Sequence, residues 1–368
     1  MAAKPVMKIN LTNISGFFLI VLAIHMPLTG TGQDNTPKYS NEFLSLGAGA
    51  RSFGMSRAQV AVIEDVTAAY WNPAGLTDMA GNYQFSMMHA AMFAGIANYD
   101  YAGFALKLDS ISALGISMIR FGIDDIPDTR FLYDANGAIN YDNIRFFSAA
   151  DYAFIFSYAR KMGFLEGLSV GANVKIIYRS VGSFANAWGF GVDLGGKYKV
   201  KGWQLGLMLR DITGTFTAWS HDTDEIRDIY LQTGNVIPET TLEITLPRMI
   251  AGIGRHFTIR QNWGLLPVVD LIITFDGKRN VLLKSETVSL DPVFGIEADF
   301  KKIAFLRLGA GNFQEVKNFV GSFSREFQPT FGLGVRLKQV DVDYALTDPG
   351  NLSDALYTHV FSISVRID

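Results

Sequence analysis

From Tyr83 to Asp368 the chain alternates large apolar residues with small or polar ones. Phe184, Trp188, Phe190, Val192 and Leu194 fall on one side; Ala185, Ala187, Gly189, Gly191 and Asp193 fall on the other. Leu168, Val170, Ala172, Val174 and Ile176 oppose Ser169, Gly171, Asn173 and Lys175. Phe331, Leu333, Val335 and Leu337 oppose Gly332, Gly334, Arg336 and Lys338. The last stretch sets Phe361, Ile363, Val365 and Ile367 against Ser362, Ser364, Arg366 and Asp368. Successive side chains of a strand point to opposite faces, so each stretch predicts a strand with one apolar face. A soluble sandwich also alternates, but several stretches run about 10 residues or more, enough to cross a bilayer at a tilt. The expectation is an all-β fold: a transmembrane antiparallel β-barrel with lipid outside and a small-residue, polar lumen. On this facing, arginine at Val192 is costly and serine at Gly191 is cheap.

About fourteen strands are expected, near 83–91, 98–108, 111–121, 148–160, 166–178, 184–199, 202–212, 243–257, 263–275, 289–300, 303–311, 328–338, 339–347 and 355–368. The connections keep a consistent parity. Asp109-Ser110, Lys201-Gly202, Lys301-Lys302 and Lys338-Gln339 are tight turns after even-numbered strands. Insertions near 122–147, 213–242, 276–288 and 312–327 follow odd-numbered strands. Short periplasmic turns and long extracellular loops produce this alternation, which places both termini in the periplasm.

Composition narrows the class. Only 18% of the 368 residues are charged and 36 are glycine, unlike a helical soluble domain. A net charge of −3 shows no footprint for nucleic acid. The absence of cysteine excludes disulfides, thiol nucleophiles, thiolate metal sites and a lipid-modified cysteine anchor. Lys8, the apolar run Phe17 to Met26 and the small residues Thr29-Gly30-Thr31-Gly32 read as a cleavable signal over 1–32, with Met7 a candidate start. The apolar run is only about half of the roughly 20 residues a spanning helix needs.

Catalytic chemistry is not visible. His25, His89, His221, His256 and His359 show no ligand spacing, so no metal site is expected. Asp222, Asp224, Glu225 and Asp228 lack the alternation and central glycine of a calcium loop and read as a solvated loop. Asp341 and Asp343 share a strand face; paired carboxylates can do acid–base work, but here they read as lumen residues. No G-x-S-x-G occurs, and neither Gly309-Ala310-Gly311 nor Gly332-Leu333-Gly334 precedes a helix that would hold a phosphate. No catalytic residue, cofactor or enzymatic activity is expected. The insertion at 122–147 is unusual for its Ile126, Phe131, Leu132, Tyr133, Ile139 and Tyr141. These either fold back onto the barrel mouth or meet another protein.

Between signal and barrel lies a lead-in and a compact segment, together 33–80, with the barrel proper at 81–368. Gly47 to Leu76 reads GAGARSFGMSRAQVAVIEDVTAAYWNPAGL. Pro73 forces Asn72 out of the helical region, so the helix-like run before it must end there, and Gly75 permits a tight bend. A hatch inside the barrel accounts for such a segment. GARSFGM, the pair Glu64-Asp65 and YWNPAGL in this order resemble the PorV/PorQ family, within the FadL-like barrels, over about residues 41–80. The hatch-motif positions are Gly49, Arg51, Gly54, Glu64, Asp65, Trp71, Asn72, Pro73 and Gly75; the chain departs at Ser56-Arg57, where the family carries Gly-Gly.

The resemblance implies a non-enzymatic component of the type IX secretion system in the outer membrane of a Gram-negative bacterium of the Bacteroidota. Such a barrel is surrounded by outer-membrane lipid and partners the large translocon. It binds the C-terminal domains of cargo proteins and passes them on for surface attachment or release. Phe131, Leu132 and Tyr133 would then form a partner-binding loop. The alternative is a FadL-like channel for long-chain fatty acids or other hydrophobic compounds. That reading needs an apolar pocket between hatch and wall, with Arg51 or Arg57 for a carboxylate. A third is a structural partner of a surface motility or adhesin complex. The signal pattern predicts a mature N-terminus at or near Gln33, read by intact mass of the membrane protein; retention of residues 7–32 would instead indicate a helical anchor.

Overall fold

The computed structural model describes residues 40–134, 136–222, 227, 230–231, 234, 241–317, 321–347 and 358–368. The expected signal, the cut near Gln33, and Asp224, Glu225 and Asp228 lie outside them.

Among the described residues, fourteen antiparallel wall strands close into a barrel. They are β1 (Tyr83–Met92), β2 (Ala97–Lys107), β3 (Ser112–Asp128), β4 (Arg145–Lys161), β5 (Leu168–Val181) and β6 (Ala185–Val200). β7 comprises Trp203–Arg210 and Thr215–His221, which pair in turn with β6 across a bulge. β8 comprises Leu242–Thr245, Arg248–Arg255 and Phe257–Arg260. β9 (Trp263–Thr274), β10 (Ser289–Phe300), β11 (Ala304–Lys317), β12 (Phe323–Leu337), β13 (Val340–Thr347) and β14 (Thr358–Ile367) complete the wall. Closure is made by β1 on β14, from Tyr83↔Ile367 to Ala91↔His359.

Each expected strand is present, but several run further. β3 reaches Asp128, β4 begins at Arg145, β7 reaches His221 and the β11–β12 ladder extends to Lys317↔Phe323. Part of each insertion expected at 122–147, 213–242 and 312–327 is therefore paired strand among the described residues. Both faces meet water there, so side-chain alternation fades while backbone pairing continues to satisfy the peptide groups. The tight turns share one rim. Lys201 (φ 49°) with Gly202 (φ 82°), and Lys301 (54°) with Lys302 (55°), hold the double left-handed conformation whose twist fits a two-residue hairpin.

The apolar faces point outward. Trp188 and Phe190 are 58% and 50% exposed, whereas Ala187, Gly191 and Asp193 on the opposite face of the same strand are buried. The core lies inside the lumen. Phe53, Val60, Ile63, Tyr70, Trp71 and Leu76 of the segment before β1 pack against inward Tyr99, Tyr101, Ile119, Ile155, Ile177 and Met208. The expected small or polar lumen face holds where Gly171, Gly206, Gly309 and Gly332 lie against the hatch backbone, and is corrected at Tyr99, Tyr101, Ile119, Ile155, Ile177 and Met208, where the wall meets the apolar side of the hatch and the contact is dry.

Facing sets the cost of substitution. Val192→Arg puts a charge on the outer face of β6 and should destabilise the barrel by about 2–4 kcal/mol if it lies near the midplane, read by urea unfolding in detergent or lipid. Gly191→Ser is not the cheap change the sequence suggests. Its Cβ would overlap the Thr215 hydroxyl and lie 3.1 Å from Lys175 Cε, so it too should impair assembly.

Candidate functional site

The hatch begins with Ser40, whose hydroxyl donates to Glu243 at 3.0 Å, and Asn41, whose amide donates to Thr217 and Thr245 at 3.0 and 2.9 Å. A short helix, α1 (Ala50–Phe53), follows Gly49 (φ 83°). From it Arg51 makes a two-pronged contact with Glu297 of β10, at 2.9 and 3.0 Å. Glu297 also accepts from Arg307 at 2.6 Å, and Arg307 reaches Asp343 at 2.6 Å. Asp341 contacts Arg336 and Arg366 at 3.1 and 2.8 Å. The two carboxylates that share a face are therefore occupied by guanidinium groups. Gly54 lies on Gly332 so closely that a Cβ would sit 2.8 Å from its Cα, which only glycine permits.

A second helix, α2 (Ala68–Trp71), follows the Glu64-Asp65 pair. Asp65 accepts from the Thr67 N–H and hydroxyl at 2.8 and 2.6 Å, pinning the chain just before it. Glu64 and Asp78 share Lys199 at 2.7 and 3.1 Å and Lys197 at 3.4 and 3.1 Å. Burial opposes their ionisation, yet the two ammonium groups outweigh it and hold both carboxyls below the ordinary carboxylate value. α2 ends at Asn72, which is extended (φ −163°, ψ 101°) ahead of Pro73. The Asn72 amide donates to Val60 O at 3.0 Å and to Gly196 O of β6 at 2.9 Å, and its oxygen accepts from Ala74 N–H at 3.2 Å. Trp71 donates to Ala48 O at 2.8 Å, and Gly75 leaves room for the Ile63 carbonyl, 2.6 Å from where a Cβ would stand.

Two cavities flank the hatch. Near the short-turn rim a cavity of about 390 Å³ is lined by charged groups, among them Arg51, Glu64, Asp65, Asp78, Asp299, Arg307 and Asp343. Toward the long-loop rim a chamber of about 270 Å³ lies between hatch and wall. Trp71, Ile250, Ile272, Val281 and Val293 give it apolar walls; Arg57, Arg248, Arg279, Asp270, Thr274 and Asp291 give it polar ones. Of the two arginines considered for a carboxylate, Arg51 is held by Glu297 outside the chamber and Arg57 lines it. Sequence reading missed Asp270, Arg248 and Arg279. The available signal was Asp270 itself, a lone acid within the apolar run of β9.

The wall beside this chamber is interrupted. The β10–β11 ladder stops at Phe294↔Ala310, although both strands continue. The loop between β9 and β10 turns back into the gap. Leu283↔Leu290 and Lys284↔Ser289 form a short ladder with β10. On the other side Asn280 exchanges two hydrogen bonds of 3.0 Å with the Glu315 backbone, and Lys284 reaches the Glu315 carboxylate at 2.6 Å. Arg279, Asn280 and Val281 of this loop line the chamber.

The loop between β3 and β4 is far from the hatch motif in chain and in contact. Phe131 is 44% exposed, with the Arg145 guanidinium 4.4 Å from its ring centroid. Tyr133 is 63% exposed and forms a bridge with Ile139, while Leu132 is half-buried. The large apolar groups here do not all fold back: Tyr141 and Phe146 are exposed as well.

These features define a membrane-spanning β-barrel with a folded segment in its lumen, a construction of the outer membrane. No protein-family model and no curated protein matches the chain. Solved structures do. The chain is similar to the Ralstonia pickettii toluene transporter TbuX, at 15% identity and TM-score 0.51, covering 88% of this chain and 99% of that one. It is similar to the P. putida toluene transporter TodX at 14% identity and TM-score 0.55, covering 87% and 99%. A Pseudomonas aeruginosa FadL homologue matches at 12% identity and TM-score 0.51, over 86% and 97%. The shared property is the fold, that of FadL-type transport barrels.

Asn72→Ala would strand the Val60 and Gly196 carbonyls and the Ala74 N–H. It should loosen the hatch by about 1–3 kcal/mol while the barrel still assembles, seen as faster proteolysis within 47–76 at unchanged heat-modifiable migration on gels.

Proposed function

We propose that the protein is a non-enzymatic outer-membrane channel that admits small hydrophobic or amphipathic compounds through the chamber beside its hatch. The observation that carries this reading is the wall gap: the chamber is closed toward the outer face by residues 279–284 of a loop rather than by a continuous ladder. Exposed Phe275, Leu282, Leu283 and Phe327 surround that gap and offer an apolar approach from the membrane. Likeness in fold to hydrocarbon and FadL-type transporters supports it. The chamber has room for roughly nine waters, which suits a ring compound better than a long alkyl chain.

The test is to pin the loop. Leu283 and Leu290 are ladder partners, a spacing of about 4.5–5.5 Å between Cα atoms that fits a disulfide. The chain has no other cysteine to interfere. Leu283→Cys with Leu290→Cys, oxidised, should slow toluene uptake by intact cells that carry the barrel in their outer membrane, and a reductant should restore it. Flux at the parent rate in the oxidised protein would remove the gate and this reading with it.

A second reading, a PorV-like partner of the type IX translocon and its cargo C-terminal domains, is favoured by the hatch sequence and by the exposed Phe131 and Tyr133. Binding energy concentrates in a few aromatics, so Phe131→Ala plus Tyr133→Ala should weaken such a complex by at least about 2 kcal/mol. The measurement is co-purification from solubilised outer membrane. Equal yield of the same partners from the double variant would leave the loop with no docking role.

A further inference from the structure

We infer that the outer wall of the barrel carries a site for an anionic phospholipid with two phosphates, of the cardiolipin kind, where strands β7 to β10 reach the short-turn rim. The site lies on the lipid-facing side and does not depend on what the chamber admits.

Aromatic rings and cations alternate along this sector. Trp203 of β7 pairs with Arg255 of β8, Arg260 with Trp263 of β9, and Trp263 with Phe300 of β10. Trp203, Phe257, Ile259 and Trp263 are exposed. The Arg255 guanidinium lies 5.2 Å from the ring centroids of both Trp203 and Phe257, and Lys301 Nζ lies 5.4 Å from that of Phe300. Trp263 packs on Phe300 with centroids 4.8 Å apart. Rings of this kind mark the headgroup level of a bilayer, and Lys and Arg stems lie along them with the charge toward the headgroups.

The cations here have no counter-charge. No Asp or Glu occurs in 200–206, 253–264 or 300–305, and the neighbouring Asp299 is turned inward to His256 at 2.8 Å. Elsewhere near this rim Arg336 and Arg366 share Asp341, and Lys197 and Lys199 share Asp78. Lys201, Arg255, Arg260 and Lys301 have no such ion pair among the described residues. Like charges gathered in this way repel one another, and an anionic headgroup relieves the repulsion. From β7 to β10 is three strand spacings, about 14 Å, which is too wide for one phosphate to reach every cation. A zwitterionic lipid brings its own ammonium against them. Two phosphates on one glycerol bridge answer both ends of the patch. The acyl chains then lie along outward Leu205, Ile253 and Val269, which follow one another in register just beyond the rings.

The test is native mass spectrometry of the full chain released from detergent, titrated with cardiolipin, phosphatidylglycerol and phosphatidylethanolamine of matched acyl chains. Cardiolipin should bind roughly tenfold or more tightly than phosphatidylethanolamine, with phosphatidylglycerol between them. Arg255→Gln with Lys301→Gln should weaken cardiolipin by a similar factor and leave phosphatidylethanolamine unchanged. Lys107→Gln with Arg160→Gln removes the same charge from the β2 and β4 ends of the rim and should leave cardiolipin at the parent affinity. Equal binding of cardiolipin and phosphatidylethanolamine by the parent protein overturns the inference without recourse to any variant. Equal losses in the two double variants would reduce the effect to net charge and overturn the site. Phosphatidylglycerol bound as tightly as cardiolipin would overturn the two-phosphate match. A dimer mass without bound lipid would give this face to a second copy of the chain and overturn it as well.

Discussion

A chain that crosses hydrocarbon by strands must pair every backbone N–H and C=O, and only a closed sheet does so without an edge. That requirement brings β1 onto β14 and turns one face of every strand outward. It also creates an interior that has to be filled. Small and charged inward residues leave a space that the segment 40–80 occupies, and wall glycines at 171, 206 and 309 lie directly against its backbone. Barrel closure thus sets the conditions under which the hatch folds. Its two α-helices are four residues each, too short to persist without the wall around them.

The hatch is held by charge as much as by packing. Arg51, Glu297, Arg307 and Asp343 run in one line of ion pairs from hatch to wall. Lys175 sits between Asp193 and Asp211 on the far side of the lumen. Buried pairs of this kind add little net stability over apolar packing, but removing one partner strands the others at a cost of about 3–5 kcal/mol. They act as register marks. A hatch displaced by one residue would leave guanidinium and carboxylate groups buried apart, so one position is strongly preferred.

Where the wall ladder fails, the same requirement is met by other means. Beyond Ala310 the peptide groups of β10 and β11 find partners in a loop that turns inward, with Asn280 standing in for a strand at Glu315. Side-chain amides and short ladders hold a loop less firmly than a continuous ladder holds a strand. The wall is therefore weakest at the place where the chamber lies behind it. A passage for small molecules and a docking surface for a protein make different demands on this region. The first needs the loop to move; the second needs only the exposed residues between β3 and β4.

Alternation, turn residues and connection parity were enough to count fourteen strands and to assign their faces, because a period of two is a local property that lipid on one side enforces. The end of α2 at Asn72 was likewise local, dictated by Pro73. Strand ends above the membrane were not legible, since water on both faces removes the pattern. The chamber was less legible still. Arg57, Asp270, Thr274 and Asp291 come from the hatch, β9 and β10, and nothing in their spacing announces that they meet. Nor does the sequence show that Arg51 is consumed by Glu297 while Arg57 is left facing the chamber. Those outcomes depend on barrel shear, on the path of the hatch and on the strained turn at Ser56-Arg57. All three are settled only when distant strands close around the segment and each buried charge must find a partner.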